Sequence, residues 1–231
     1  MRADKLSPVP QILIPNSIRP KDARFGCGPS RMRPEQLENF QVFAQRYMGT
    51  SHRQAPIRSL VGEIKTGLLD LFRAPDGYEV IMGNGGASAF WDAATFSLAE
   101  KKAQALVHGE FGNKFAKILG APWLEKPTVI EAEPGTRADL RAEAGVDIYA
   151  YPHNETSAGV VCDVKRVQGA DSDALMLTDA TSAAGGIDFD LSQTDVYYFA
   201  PQKNFSSDGG LWLAMVSPKA IERIEKVSAS G

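Results

Sequence analysis

Seven short, almost continuously apolar runs after residue 77 constrain the fold of this chain more than any other feature. They are rich in Val, Ile and Tyr and cover residues 78–82, 105–108, 128–131, 146–151, 174–177, 196–199 and 211–216. Such runs are typical of strands that are buried on both faces of a sheet. Helical stretches follow residues 86 and 111, as the crossovers of a parallel sheet require. The sequence therefore predicts an α/β fold: a mostly parallel sheet with helices on both faces.

The first 77 residues have a different pattern. Four prolines within residues 1–20 predict an extended N-terminal arm. Apolar residues at helical spacing predict a helix that begins at Pro34 and a second helix over residues 57–72. We expect residues 21–231 to form one large domain.

Composition excludes several classes of function. The 231 residues are 43% hydrophobic and 23% charged, with a net charge of -3 and no basic block that would suggest nucleic acid. No apolar run is long enough to span a bilayer, so we expect no membrane partner. Cys27 and Cys162 are far apart and match no metal-binding spacing. Two thiols do not make a disulfide framework, and we therefore expect a cytoplasmic protein without a metal.

Candidate functional residues follow the predicted strands at their carboxyl ends, where ligands bind in sheets of this kind. A glycine-rich turn, residues 83–88, joins a strand to a helix and suits a phosphate, although it can equally be only a tight turn. Asp179 ends another strand and can pair with a pyridinium nitrogen, a metal or an arginine, or can cap the next segment of the chain.

Lys203 comes shortly after the apolar strand at residues 196–199. Such a strand can desolvate the amine and favour its neutral form, which Schiff-base chemistry requires; the alternative is an ordinary surface lysine. Asn154 and Thr156, in a polar loop after another strand, can donate hydrogen bonds to a ligand. Arg53 suits a carboxylate or phosphate, although it can also be a solvated arginine at a helix start.

The order of these features is more informative than any one of them. A glycine-rich turn, a polar loop, an aspartate and a lysine follow one another along the chain, each at a strand end. Pyridoxal 5'-phosphate needs a phosphate anchor, a donor to its ring hydroxyl, a carboxylate on its ring nitrogen and a lysine for its aldehyde. The sequence therefore predicts a pyridoxal 5'-phosphate site.

The chain also resembles a known family, the phosphoserine aminotransferases of the actinobacterial type among the fold-type I pyridoxal-phosphate enzymes. The resemblance covers essentially all 231 residues and is carried by residues 24–30, 49–56, 76–92, 153–159 and 197–212. The last stretch contains the specific sequence Phe-Ala-Pro-Gln-Lys-Asn around Lys203.

The resemblance implies a role for each matching residue. Lys203 would be the Schiff-base lysine and Asp179 the partner of the pyridine nitrogen, and these are the two expected catalytic residues. Phe111 would stack on the ring, where many members have tryptophan, and Thr156 would donate to the ring hydroxyl. The remaining expected contacts are phosphate contacts from Ala87, Ser88 and Gln202, and substrate contacts from His52 and Arg53.

The implied reaction is amino transfer between L-glutamate and 3-phosphohydroxypyruvate, which gives 2-oxoglutarate and O-phospho-L-serine for serine and pyridoxine biosynthesis. Members act as homodimers and continue into a second, smaller domain. That domain supplies an arginine for the substrate and an Asn-Thr pair for the partner subunit's cofactor. We expect the 231-residue chain to be C-terminally truncated, to lack this domain, to bind cofactor weakly and to turn over poorly.

Two other interpretations stay open at this point. One is another aminotransferase of the same class, such as a serine–glyoxylate type or a cysteine desulfurase relative, although these usually place histidine rather than Phe111 over the ring. The other is a non-catalytic binding or assembly domain that keeps the fold.

Overall fold

A seven-stranded sheet forms the centre of the protein in a computed structural model that describes residues 12–22 and 24–230. In the order β1-β9-β8-β7-β4-β2-β3, its strands are β1 (Glu79–Asn84), β9 (Leu211–Val216), β8 (Val196–Phe199), β7 (Leu175–Asp179), β4 (Ile148–Pro152), β2 (Ala103–Val107) and β3 (Thr128–Glu131). Only β9 runs against both of its neighbours, and the other pairings are parallel. The mostly parallel α/β sheet is confirmed.

The described residues also form five α-helices and a small hairpin. The helices are α1 (Pro34–Tyr47), α2 (Ala55–Leu71), α3 (Gly86–Ser97), α4 (Glu110–Ile118) and α5 (Pro218–Ser230). The hairpin pairs β5 (Asn154–Glu155) with β6 (Val160–Val161). Two short 3-10 turns, Asn16–Ile18 and Leu191–Gln193, complete the order.

The two faces of the sheet are covered differently. On one face, α3, α4 and α5 bury aromatic and aliphatic side chains, among them Trp91 and Phe115, against β8, β7 and β4. On the other face, the end of α2 contributes Leu68 and Phe72, and irregular chain covers the remainder. Because the central strands are buried on both faces, their sequence has no polar alternation.

Each predicted apolar run forms a strand of the sheet, but some strands begin or end at other residues than predicted. The predicted strand over residues 146–151 is β4, Ile148–Pro152, and the predicted strand over residues 174–177 continues to Asp179. The ladder explains the extension, because Asp179 pairs with Pro152 on one side and with Tyr198 on the other. The polar residue at the strand end is therefore part of the sheet and is held rigidly.

The segment before β1 packs only in part. Pro34 is the first residue of α1, as predicted, but no α1 residue is buried, and Leu37, Phe40 and Phe43 are all exposed. Residues 12–20 are also exposed, and residues 1–11 lie outside the described part of the chain. The extended N-terminal arm stays a prediction. No helix in the described ranges is both long and apolar enough to cross a bilayer.

Candidate active site

A cavity of about 290 Å³ opens at the carboxyl ends of the parallel strands. It is lined by all seven residues predicted to contact the cofactor: Ala87, Ser88, Phe111, Thr156, Asp179, Gln202 and Lys203. His52 and Arg53 do not line it and lie in an exposed turn before α2. The parallel arrangement explains the clustering, because it brings residues distant in sequence to one edge of the sheet.

One side of the cavity is the start of α3. Gly85 has a φ of 104° and receives the chain from β1 in a left-handed conformation that favours glycine. Its N–H donates to the carbonyl of Gly210, 2.9 Å away. Ala87 and Ser88 then fall in the first turn of α3, where backbone N–H groups have no partner within the helix. This end of the cavity can therefore bind an anionic group.

The floor of the cavity holds Asp179. Its Oδ1 accepts a hydrogen bond of 2.9 Å from the backbone N–H of Thr181. Burial raises the pKa of Asp179, and the hydrogen bond from the Thr181 backbone opposes that rise. Such a carboxylate gains from a cationic partner, since a buried charge needs compensation.

A hydroxyl cluster lies beside Asp179. Ser182 Oγ accepts from Thr156 Oγ1 at 2.8 Å and from Asn154 Nδ2 at 2.7 Å, and donates to the carbonyl of Asn154. Thr156 is thus in the cavity with its hydroxyl satisfied by a side chain rather than by the backbone. A ligand oxygen can replace Ser182 as its partner.

The buried carboxylate of Glu155 connects the Thr156 loop to α4. It accepts from the N–H of Gly112 at 2.9 Å and from Ser157 Oγ at 2.5 Å. A carboxylate at a helix N-terminus is stabilised by the free N–H groups and the helix dipole. Phe111 lies in the same first turn, 40% exposed, with its ring available to a ligand.

The backbone of residues 27–30, in the N-terminal segment, lies over Lys203 as a strap. Its Nζ donates to the carbonyl of Cys27 at 2.6 Å, and Ser30 N–H donates to the carbonyl of Gln202 at 2.6 Å. Gly28 passes so close that a Cβ there would lie 2.5 Å from Cδ and from Nζ of Lys203. The amine is therefore positioned by a segment almost 180 residues earlier in the chain.

Two buried polar atoms in the cavity wall have no hydrogen-bond partner among the described residues: Thr181 Oγ1 and Gln202 Oε1. Buried polar groups are normally satisfied, so unpartnered ones in a cavity point to a polar ligand. The Gln202 amide can turn end for end and thus accept or donate. These atoms, together with Lys203 and Asp179, fit a ligand such as pyridoxal 5'-phosphate, with anionic, cationic and carbonyl parts.

Several cavity residues had no predicted role, namely Gly28, Trp91, Thr181 and Ser182. Thr181 and Ser182 follow Asp179 directly, and hydroxyl residues next to a strand-end carboxylate are a signal that sequence inspection can use. Gly28 belongs to one of the matching stretches, but nothing local indicates its contact with Lys203. Trp91 has the spacing of a core residue in α3, and its polar contact is visible only in three dimensions.

Comparisons with known proteins agree with this geometry. The model of the aminotransferase class-V family matches residues 131–231. A phosphoserine aminotransferase from Nocardioides is 54% identical over 220 residues, and a curated relative from Mycobacterium leprae, a putative phosphoserine aminotransferase, is 51% identical over 230 residues. These alignments cover 94% and 99% of this chain, which spans 59% and 60% of the length of the two relatives.

Solved structures show the same fold. A phosphoserine aminotransferase from Cytophaga hutchinsonii superposes with a TM-score of 0.82 at 26% identity, over 88% of this chain and 58% of that one. A PLP-bound phosphoserine aminotransferase from Trichomonas vaginalis superposes with a TM-score of 0.72 at 19% identity, over 89% of this chain and 67% of that one. The large domain of a fold-type I aminotransferase is therefore the architecture of this chain.

Proposed function

We propose that this chain is the cofactor-binding part of a phosphoserine aminotransferase, since it belongs to the aminotransferase class-V family. The observation that carries the proposal is the meeting of Lys203, Asp179, Thr156 and the start of α3 around one cavity. The reaction is amino transfer between L-glutamate and 3-phosphohydroxypyruvate, with O-phospho-L-serine as the product for serine and pyridoxine biosynthesis. The free thiols of Cys27 and Cys162 suit a cytoplasmic protein.

Different cavity residues would contact different parts of pyridoxal 5'-phosphate. The first turn of α3, with Ala87 and Ser88, would hold the phosphate together with Gln202. Phe111 would cover one face of the ring, and Thr156 would exchange its bond to Ser182 for one to the ring hydroxyl. Asp179 would pair with the ring nitrogen, which gives its buried carboxylate a cationic partner.

Bound pyridoxal phosphate supplies an electron-accepting ring that stabilises negative charge at the substrate α-carbon. Lys203 would carry out the proton transfer. Once its amine is free, Lys203 would act as a general base towards the proton on the substrate α-carbon. It would then act as a general acid and give that proton back. The carbonyl of Cys27 is a hydrogen-bond acceptor that can hold Lys203 Nζ when it is free. His52 and Arg53, outside the cavity, would contact the anionic substrate.

The choice of amino donor tests the proposal against related aminotransferases. The chain, saturated with pyridoxal 5'-phosphate, is mixed with one amino acid at a time, and the single-turnover change in the visible spectrum is recorded. O-phospho-L-serine and L-glutamate should react faster than L-alanine or L-cysteine. A preference for L-alanine or L-cysteine would overturn the assignment. Because the chain spans 60% of the length of a relative, we expect a slow reaction with every donor, so the order of the rates and not their size is the test.

Gly28 offers a test of the strap over Lys203. Gly28→Ala should lower the rate of covalent cofactor capture by Lys203 at least about fivefold. Its φ of 141° disfavours a side chain, and its Cβ would collide with the amine, a combination that costs about 1–3 kcal/mol. Gly26→Ala is the matched control, because its Cβ would meet nothing closer than 3.9 Å. Equal capture rates in both variants would contradict a positioning role of the strap.

We also propose that the chain forms homodimers. The support is α1, whose apolar side chains Leu37, Phe40, Val42 and Phe43 are 48–67% exposed. Leu37, Phe40 and Phe43 recur every three residues along α1, and exposed apolar side chains at this spacing are typical of an interface. Phe40→Asp should shift the chain towards the monomer in sedimentation velocity, whereas an unchanged distribution would place the interface elsewhere.

A further inference from the structure

Ser182 forms the centre of a small hydrogen-bonded cluster in the cavity wall. Its Oγ lies 2.7 Å from Asn154 Nδ2, 2.8 Å from Thr156 Oγ1 and 3.0 Å from the backbone carbonyl oxygen of Asn154. A serine hydroxyl has one proton to donate and two lone pairs that accept. The three contacts therefore use the full hydrogen-bonding capacity of Ser182 Oγ.

The carbonyl group of Asn154 fixes the direction of the hydrogen bonds in this cluster. A carbonyl oxygen can only accept, so Ser182 Oγ donates its single proton to the backbone of Asn154. Ser182 Oγ then accepts from the other two groups, and the Thr156 hydroxyl directs its proton at Ser182. Thr156 thus presents lone pairs to the cavity in this arrangement. A ligand oxygen that accepts a proton from Thr156 requires a different one.

The backbone of Ser182 is held from a second side. Asn204, the residue after Lys203, donates from Nδ2 to the backbone carbonyls of Ser182 at 3.2 Å and of Ala184 at 3.1 Å. Ser182 is therefore attached to the loop that contains Lys203. A hydroxyl proton rotates freely about the bond to its oxygen, so Ser182 can change the partner of its proton while its oxygen stays in place.

We propose that Ser182 is a positioning residue that turns its proton from the Asn154 carbonyl to Thr156 Oγ1 when Thr156 donates to a ligand oxygen. The inference rests on the proposed function, in which that oxygen belongs to the ring hydroxyl of pyridoxal 5'-phosphate. Thr156 then accepts one hydrogen bond while it donates another, and a hydroxyl that accepts a hydrogen bond is a stronger donor. Ser182 thereby strengthens the contact that stabilises negative charge on the ring oxygen.

The pH titration of the visible band of bound pyridoxal 5'-phosphate measures this effect. A donor to the ring oxygen stabilises its negative charge, so loss of the donor moves the titration to higher pH. Thr156→Val should raise the midpoint by about 1–2 pH units, as expected for one hydrogen bond to a charged group. Ser182→Ala should raise it by about 0.2–0.6 unit, since it removes only the strengthening of that hydrogen bond.

The combination of both substitutions tests whether Ser182 acts through Thr156. In the Thr156→Val background, Ser182→Ala should add nothing to the shift, because the acceptor of its proton is gone. Equal shifts from Ser182→Ala in both backgrounds, or no shift in either, would overturn the proposal.

Ser217→Ala is the matched control for these titrations. Ser217 is a buried serine whose Oγ donates to Asp195 and accepts from the backbone N–H of Ala220, but it does not line the cavity. The variant loses a hydroxyl with two hydrogen bonds and should leave the midpoint of the titration in place. An equal shift in Ser217→Ala and Ser182→Ala would assign the effect to general destabilisation and overturn the proposal.

A second measurement does not need the cofactor. In the cofactor-free chain, three-bond scalar couplings measured by NMR report the χ1 rotamer of Thr156, which Ser182 should hold in a single value. Ser182→Ala should give couplings averaged over several rotamers, and Ser217→Ala should not. If the unmodified chain binds no pyridoxal 5'-phosphate, the proposed function fails while the couplings still decide whether Ser182 positions Thr156. A single Thr156 rotamer in Ser182→Ala would overturn the proposal.

Ser182→Cys keeps the test decisive if Ser182→Ala does not fold. A thiol is only a weak donor, so the midpoint should move in the same direction and Thr156 should again lose its single rotamer. An unchanged midpoint and an unchanged rotamer in Ser182→Cys would contradict a positioning role of Ser182.

Discussion

Lys203→Ala is expected to abolish covalent capture of pyridoxal 5'-phosphate by this chain. Lys203 is the only lysine among the described residues that lines the cavity, and its Nζ lies on the same cavity wall as Gln202. An amine is the only group in a protein side chain that condenses reversibly with an aldehyde to hold a cofactor in this way. The bound cofactor should therefore lose its attachment point, although its phosphate and ring contacts remain.

The measurement combines borohydride reduction with peptide mapping. In the unmodified chain, the reduced label should map to Lys203, and in Lys203→Ala the label should be absent. The single-turnover reaction with O-phospho-L-serine should also fall by at least about 10²-fold, the usual loss when a positioned general base is removed. Lys117→Ala is the control, because Lys117 is exposed on α4 and should leave both results unchanged. A label at any other lysine would contradict the assignment.

Arg223→Ala is expected to reduce the free energy of unfolding by about 3–5 kcal/mol, the cost of breaking a buried ion pair. Arg223 is 6% exposed and donates to Asp147 Oδ2 at 3.0 Å and to the carbonyl of Leu98 at 2.9 Å. Asp147 also accepts from the backbone N–H groups of residues 100–102. Removal of the guanidinium would leave a buried carboxylate without its counterion and detach α5 from the loop before β2.

The same helix contains the control for this prediction. Lys226 forms an ion pair with Glu100 at 2.8 Å, as Arg223 does at 2.9 Å, but its side chain is 68% exposed. Lys226→Ala should therefore change the free energy of unfolding by no more than about 1 kcal/mol. Urea denaturation of the two variants beside the unmodified chain measures the difference. Similar urea midpoints for Arg223→Ala and Lys226→Ala would show that the Arg223–Asp147 ion pair does not stabilise the packing of α5.

Lys203, Asp179 and the glycine-rich turn were predictable from the sequence because each has a local signature, whereas Phe111 and Gln202 were predicted only from the family resemblance. A glycine-rich turn follows β1, a carboxylate ends β7, and Lys203 follows β8, and a parallel sheet brings such strand ends together. The contacts that organise these residues have no local signature. The strap at Gly28 and the bond from Trp91 to Tyr198 join residues more than 100 positions apart.

Local patterns in the amino-acid sequence were sufficient to predict the seven strands of the large sheet and a helix beginning at Pro34, since side-chain periodicity and strand-end chemistry are local properties. Three other features became clear only from the three-dimensional structure. They are the antiparallel direction of β9, the exposure of the α1 face, and the position of Tyr198 rather than Tyr197 beside Asp179. These features depend on strand register and on which face meets which helix. Both are set by hydrogen bonds and packing between distant segments, which a local pattern does not encode.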